Sequence, residues 1–409
     1  MKAYAAFVSL AGATVLSTTG TRFSAIAIPW LVLTTTGSPV LTGLAGFAEM
    51  LPYVVAKALG GPLIDRIGAR RISIWCDVLS TIAVAMVPLL FWAGLLSIWV
   101  LLPAVAVIGV LRAPSDAAKQ ALVPSVAAIG HVPMERVTGV IGASDRLAGT
   151  LGAAGAGALI ALLGPAPALL ANAAAFLASA LVIGLGVPKS RPATPEEAQV
   201  PSTYRAELGA GWTVLRSDPV LMSMMLMIAV TNLFDMAYSM VLLPVWVKTS
   251  GLDVSWVGIL LATFSAGAII GATIAAAIGE RLPRLLLYSA GFFCAGPLAM
   301  GVFALNLPLP VILVALLFGG ISAGSINPII GVILFERIPA DMVGRVIALF
   351  GALTWSLMPL GGLYAGILVD TWGIAVALGL TGLFYLIAAF APLIVPSFRQ
   401  MKRQPVPVA

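Results

Sequence analysis

Charge is scarce in this sequence: Asp, Glu, Lys and Arg make up 9% of its 409 residues. A water-soluble domain carries roughly 25%, so a soluble globular protein is excluded. Cysteine occurs twice, as Cys76 and Cys294, each within an apolar run; both read as small core residues, and no disulfide framework follows. The single histidine, His131, lies in a loop. Without a cluster of His, Cys and carboxylate there is no basis for a metal site. No nucleophile–base constellation appears, which argues against an enzyme, and no cofactor is implied. The absence of a G-x-x-x-x-G-K-[ST] run removes ATP-driven work by this chain alone.

What is abundant is apolar sequence: 60% of residues are hydrophobic and the mean hydropathy is +1.08. A spanning helix needs about 20 apolar residues. The runs at 4–33, 39–64, 72–94, 97–118, 137–163 and 165–187 meet that length, as do 218–248, 253–279, 285–305, 308–335, 345–370 and 373–396. The expected fold is therefore all-α and membrane-embedded, with twelve transmembrane helices. Lys2 leads straight into the first run, so that helix is expected to be retained rather than cleaved as a signal peptide.

The net charge of +6 would suit a nucleic-acid binder, but its placement indicates topology instead. Lys2, Arg66, Arg70, Arg71, Lys119, Arg136, Lys189, Arg191, Arg205, Arg216, Arg281, Arg284, Arg337, Arg345, Arg399, Lys402 and Arg403 fall on one side of the expected spans. Only Lys248 falls on the other, while Arg22, Lys57, Arg112 and Arg146 lie within spans. Basic residues concentrate on the cytoplasmic side, so both termini are expected in the cytoplasm.

The two halves of the chain repeat one another. In one constant register Pro29 falls on Pro244, Gly43 on Gly258, Asp65 on Glu280, Arg66 on Arg281, Gly109 on Gly324 and Pro124 on Pro339. After a shorter loop in the second half, Arg136 falls on Arg345, Gly142 on Gly351, Gly152 on Gly361 and Gly157 on Gly366. Parallel repeats of this kind describe two pseudo-symmetric six-helix bundles with the substrate near the bilayer midplane. The expected division is a first bundle over 1–187, a cytoplasmic linker over 188–216, a second bundle over 217–398 and a basic tail over 399–409. The linker begins Pro-rich and polar. It ends with Leu208, Trp212 and Leu215 on one helical face, as in a short helix lying along the membrane.

Between the second and third runs lies GGPLIDRIGARR, Gly60 to Arg71. Its pattern G-x-L-x-D-R-x-G-x-R resembles the loop 2–3 signature of the major facilitator superfamily of secondary transporters. GTRFSAIAIPWLVLTTTGSPVLTGL with LPY at 51–53, PSDAAKQALVP at 114–124 and GRVIALFGALTWSLMPLGG at 344–362 are most similar to the branch containing bacterial macrolide efflux pumps and the enterobactin exporter. The superfamily usually has Arg or Lys after the second Gly of its signature; here that residue is Ala69, with Arg70 and Arg71 next. Gly149, Gly152, Gly155 and Gly157 echo the superfamily's antiporter glycine motif, with Ala153 where Pro normally follows the central Gly. Small residues there also serve plain helix packing.

An ionisable group inside a span costs at least about 2.5–3.5 kcal/mol on insertion scales, so each one needs a reason. Arg22 and Glu49 lie about equally far from the turn near Thr36 and are expected to be level. They form either a protonatable carboxylate with its tuning partner or a permanent structural pair. Asp235 sits mid-span with no basic residue in its run before Lys248. A lone carboxylate in apolar surroundings is suited to loading and releasing a proton, and Asn232 and Tyr238 share its helical face. Arg112, Asp116, Asp145 and Arg146 are assigned to a closing network at the cytoplasmic end beside Asp65, Arg66, Arg70 and Arg71, with Glu280 and Arg281 in the second half; coupling by Asp116 or Asp145 is the alternative. Asp77, near the start of its helix, reads as an interfacial or helix-dipole partner.

Phe47, Tyr53, Phe234, Met236, Tyr238, Trp355 and Met358, together with Asn232, are candidates for a pliant apolar cavity. The resemblance implies a monomeric bacterial inner-membrane transporter. It would export amphiphilic or lipophilic small molecules in exchange for protons, surrounded by lipid and without nucleic acid. The alternatives are a dedicated exporter of a siderophore, lipid or other single metabolite, or a membrane receptor on the same fold.

Overall fold

The computed structural model describes residues 2–130, 134–188, 204–278, 283–339 and 342–401, and among them all regular secondary structure is helical. In hydrocarbon each backbone N–H and C=O must be satisfied internally, which an apolar run achieves by becoming helix. Ten stretches of described residues are long and apolar enough to cross a membrane, so the chain is a multi-pass membrane protein. The last of them, Arg345–Ile394, has 50 residues. As one rod it would be about 75 Å long, far beyond a hydrocarbon core of about 30 Å. It breaks at Gly373, where φ is 79°, at the boundary expected between the last two spans.

The helices group into two compact units. The first comprises Met1–Thr194 with Ser239–Ala262 and Gly362–Thr371; the second comprises Pro195–Tyr238, Thr263–Gly361 and Trp372–Ala409. In the first unit run α1 (Lys2–Thr36), α2 (Pro39–Leu59), α3 (Gly61–Ile67), α4 (Ala69–Trp92), α5 (Ile98–Gly130), α6 (Met134–Leu163) and α7 (Pro165–Gly186). α1 packs on α5, α6 and α7, while α4 packs on α5 and α7. Where α1, α5, α6 and α7 meet, Phe7, Leu10, Leu122, Val126, Val137 and Ile183 form a buried core.

The chain continues through α8 (Tyr204–Ser217) and α9 (Pro219–Ala237), a π-helical turn at Tyr238–Leu242, α10 (Leu243–Thr249) and α11 (Ser255–Ile278). Then follow α12 (Arg284–Ala295), α13 (Pro297–Ala304), α14 (Leu309–Ala323), α15 (Ile326–Arg337), α16 (Val343–Trp355), α17 (Met358–Ala389), α18 (Ala391–Ile394) and a 3₁₀ turn at Pro396–Met401. The short helix expected at the end of the linker is α8. It packs on α16, with Leu215 buried and Trp212 exposed.

Local signals account for several boundaries. Ser38 caps α2 by accepting from the Leu41 amide at 3.2 Å. Asp218 caps α9 by accepting from the amides of Val220 at 2.8 Å and Leu221 at 3.1 Å. Gly68 separates α3 from α4 at φ 94°, a conformation that costs any residue with a Cβ; this explains the second glycine of the loop signature. Lys248, expected as the one basic residue on the outer side, donates to the Leu33 carbonyl at 2.6 Å within the first unit, satisfying the last turn of α1.

One expectation about boundaries fails. α5 does not end near 118 but runs to Gly130, so Lys119 is a buried helical residue rather than part of a loop. The Pro residues at 114 and 124 invite an early stop, but packing against α4 and α1 carries the helix through them.

The contact that positions the charged residues of the first unit is the approach of α5 to α2. A Cβ built on Gly109 would lie 2.1 Å from the Glu49 carbonyl oxygen, so only glycine permits the observed spacing. Gly109→Val is expected to destabilise the protein by about 1–3 kcal/mol through overpacking. It should lower the midpoint of detergent-solubilised unfolding, measured against Gly142→Val, whose added Cβ meets nothing within 4 Å.

Candidate functional site

Close helix contact at Gly109 brings Arg112, one turn further along α5, onto the middle of α2. Its Nη1 donates to Glu49 Oε1 at 2.7 Å. The partner of Glu49 is thus Arg112 and not Arg22, correcting the expected pairing. Distance from a shared turn predicts height along the bundle, but it does not say which third helix inserts beside the pair. Glu49 is 2% and Arg112 7% exposed; an ion pair so deeply buried survives only with close geometry and further hydrogen bonding. Tyr53, one turn below Glu49, lies under the guanidinium with its ring centroid 4.6 Å from Arg112 Cζ, within cation–π range. Its hydroxyl donates to Asp116 Oδ2 at 3.1 Å. Arg112 therefore belongs to a mid-span cluster rather than to a cytoplasmic closing network, and Tyr53 is buried within that cluster.

A second buried cluster joins α4, α5 and α7. Lys119 Nζ lies 2.9 Å from Asp77 Oδ2, Ser115 donates to Asp77 Oδ1 at 2.5 Å and Ser179 to Asp77 Oδ2 at 2.7 Å. Asp77 is completely buried, so the interfacial reading of this residue is also corrected. Its signal was available, since the cost of placing a carboxylate in an apolar run applies to Asp77 as it does to Asp235.

The other first-unit candidates are dispersed. Arg22 makes no ion pair among the described residues; it lies against α6, where Cβ atoms built on Gly149 and Gly152 would touch its side chain at 3.3 Å and 3.2 Å. On the same side Thr18 donates to Asp145 at 2.6 Å, and Arg146 is exposed on α6. Gly157 of the glycine motif meets the Gly258 backbone, a Cβ there lying 3.0 Å from its Cα. In the signature loop Arg66 and Arg71 are exposed. Arg70 donates to the carbonyls of Val187 at 2.7 Å and Gly184 at 2.5 Å, capping the end of α7 in keeping with the helix dipole. The side chain of Asp65, and Glu280 and Arg281, lie outside the described residues.

In the second unit the centre is Asp235 on α9. No cation pairs with it among the described residues, and its side chain is exposed. The Tyr385 hydroxyl donates to it and is itself linked to Thr231. The partners expected from helical spacing are engaged elsewhere. Asn232 donates to the Thr354 carbonyl at 2.9 Å, and Tyr238 packs on Phe303 with ring centroids 5.7 Å apart. Phe234 is buried and lies 6.1 Å from the Tyr385 ring.

A Cβ on Gly361 would lie 2.3 Å from the Leu233 carbonyl, so the start of α17 closes on α9 beside Asp235. Met236, Trp355 and Met358 are half-buried around that junction, and Phe47 is half-buried on α2 of the first unit. The π turn begins three residues after Asp235; such interruptions recur at functional sites. Tyr385, far away in sequence, carried no signal that could have placed it beside Asp235. Two bridges that sequence reading missed, Arg284–Glu336 at 2.6 Å and Asp218–Arg337 at 2.8 Å, tie together helix ends of this unit.

Removing one partner of the Asp77 cluster leaves a buried charge without compensation. Lys119→Met is expected to cost about 3–5 kcal/mol, and Asp77→Asn combined with Lys119→Met should recover much of it. Unfolding midpoints of the purified single and double variants check this.

A sequence profile of the Major Facilitator Superfamily matches residues 10–360 and 225–407. The multidrug efflux pump Tap of Mycobacterium tuberculosis is 30% identical over 366 residues, covering 88% of this chain and 86% of that protein. Macrolide efflux protein A of Streptococcus pyogenes is 23% identical over 361 residues, 85% of each chain. Among solved structures, the nucleoside transporter NupG matches with a TM-score of 0.74 at 13% identity, over 98% of this chain and all of that one; this is a likeness of fold. Helical architecture, buried intramembrane charge and a profile that spans the chain converge, and the protein belongs to the major facilitator superfamily of transporters.

Proposed function

We propose that the protein is a secondary active exporter that moves amphiphilic or lipophilic small molecules out of a bacterial cell in exchange for protons, by alternating access. The observation that carries this reading is Asp235, a carboxylate in the middle of a spanning helix. It has no cationic partner among the described residues, is not packed away inside the unit, and accepts a hydrogen bond from Tyr385. Neutral and ionised forms of such a group differ strongly in solvation. Uptake or release of one proton therefore alters how well its surroundings suit water or an apolar cargo.

Similarity to pumps named for multidrug and macrolide efflux supports the direction of transport and the chemical class of cargo. Half-buried Met236, Trp355 and Met358 near Asp235 suit a cargo that is large and apolar, since methionine and aromatic surfaces adapt to irregular shapes. Glu49 is the proton-handling candidate of the first unit. Asp65 with Arg66, and Glu280 with Arg281, are assigned to the cytoplasmic gate from the sequence repeat. The exporter is proposed to cross the membrane twelve times, a reading supported by the ten apolar stretches, α1 and the break at Gly373. The basic residues on one side support cytoplasmic termini in the plasma membrane, and the exporter is proposed to act as a monomer.

The test uses proteoliposomes with an imposed pH gradient and a panel of fluorescent lipophilic cations and macrolides. Wild type is expected to move cargo with the gradient. Asp235→Asn should fall to the rate of protein-free liposomes while still binding cargo. Tyr385→Phe should retain flux at a reduced rate. Gradient-independent flux in wild type, or an unimpaired Asp235→Asn, overturns the assignment; absence of flux for every compound would point to a dedicated metabolite or to a receptor.

A further inference from the structure

Cations buried in the first unit are neutralised by carboxylates: Arg112 by Glu49 at 2.7 Å and Lys119 by Asp77 at 2.9 Å. Arg22, near the middle of α1, has no such partner among the described residues. Asp145 on α6 is close enough for its charge to be felt at Arg22, yet the two form no ion pair, and Asp145 Oδ1 accepts a hydrogen bond from Thr18 at 2.6 Å. Arg112 is also within electrostatic range of Arg22, but Glu49 neutralises it. A guanidinium inside a span is tolerated only where it meets water or a partner. Arg22 is exposed, so its head faces water.

The side chain is nevertheless held in place. α6 passes it with glycine at two positions one helical turn apart. A Cβ on Gly149 would lie 3.3 Å from Arg22 Nη2, and one on Gly152 would lie 3.2 Å from its Cγ. The stem therefore lies against the backbone of α6, and packing rather than hydrogen bonding fixes where the head sits. Among the described residues no acceptor takes a hydrogen bond from this rigid fork of N–H donors. Part of the entropic cost of immobilising a long side chain is thus met before any ligand arrives.

We infer that Arg22 binds the head group of an anionic amphiphile, a carboxylate, sulfonate or phosphate held by the guanidinium fork on the water-facing side of α1 and α6. Oxyanions of this kind match the fork bidentately. A neutral or cationic head leaves the charge of Arg22 uncompensated. Asp145 works against an anion at this position, and direct contact with the fork has to outweigh it. Gly149 and Gly152 act as positioning residues, because side chains there would displace the guanidinium. The inference rests on the exporter reading above, since it names the head-group chemistry of the amphiphilic cargo.

The probes are 8-anilinonaphthalene-1-sulfonate and N-phenyl-1-naphthylamine, which share an aromatic body and differ by the sulfonate. Each is titrated by fluorescence against the full-length protein in lipid nanodiscs, with empty nanodiscs subtracted. Arg22→Gln is expected to weaken binding of the sulfonate about tenfold and of the neutral probe less than about twofold. Equal losses for both probes, an unchanged sulfonate affinity, or a wild type that does not bind the sulfonate overturns the proposal.

Should Arg22→Gln fail to fold, Gly149→Ala provides the second measurement. Its Cβ crowds Nη2 while the charge stays, so the sulfonate is expected to bind about threefold more weakly and the neutral probe as in wild type. An unchanged sulfonate affinity overturns the placement of the site. Sulfonate binding that depends on Arg22 without gradient-driven flux keeps the site and defeats the exporter reading. Flux with a sulfonate affinity indifferent to Arg22 does the reverse.

Discussion

The first unit depends on a charged pair held where charge is most expensive. Glu49 and Arg112 meet in the middle of a span, and neither is tolerable there without the other. Their meeting depends in turn on the absence of a side chain at Gly109, which lets α5 lie against the α2 backbone. The same approach stacks Tyr53 under the guanidinium and sets Asp116 one turn beyond. A steric fact about one glycine thus becomes an electrostatic fact about four polar groups. The Asp77–Lys119 cluster follows the same logic further along α5, with Ser115 and Ser179 supplying the hydrogen bonds that a buried carboxylate requires.

The second unit handles its mid-span charge differently. Asp235 has a tyrosine where Glu49 has an arginine. A neutral hydroxyl can donate to a carboxylate without fixing its ionisation as a guanidinium does, so the two units offer a proton different environments. Close backbone contact at Gly361 and the π turn after Tyr238 concentrate irregular helix geometry around Asp235. Irregularity inside a span needs compensation for backbone groups and tends to be kept where it serves a function. At its helix ends this unit is tied by Arg284–Glu336 and Asp218–Arg337, so the charges that hold its ends together are distinct from the one at its centre.

Much of this was legible without coordinates, and the reason is the cost of charge in hydrocarbon. Apolar length gave the approximate limits of most of the membrane-length helices. The scarcity of ionisable residues made Glu49, Arg112, Asp116 and Asp235 conspicuous before any geometry was known. Where the same rule was relaxed, for Asp77 and Lys119, the sequence reading went wrong: nearness to an expected helix end seemed to excuse them from burial, and the length of α5 removed the excuse. Proline content in α5 was equally misleading, because tertiary packing overrides a local tendency to stop.

Partnership was the part that only tertiary structure decided. Sequence spacing places residues on a face and at a height, and among the described residues Glu49 lies near the middle of α2 and Asp235 has no ion-pair partner. It could not say that α5 rather than α1 brings the cation to Glu49, that Arg70 would be used to cap α7, or that Tyr385 rather than Asn232 or Tyr238 would bond Asp235. Composition and periodicity, which act along one helix, determined that this chain is a bundle of membrane helices carrying a few costly charges. Which charges meet is determined by which helices touch, and that depends on close backbone contacts such as those at Gly109 and Gly361, whose partners lie on other helices.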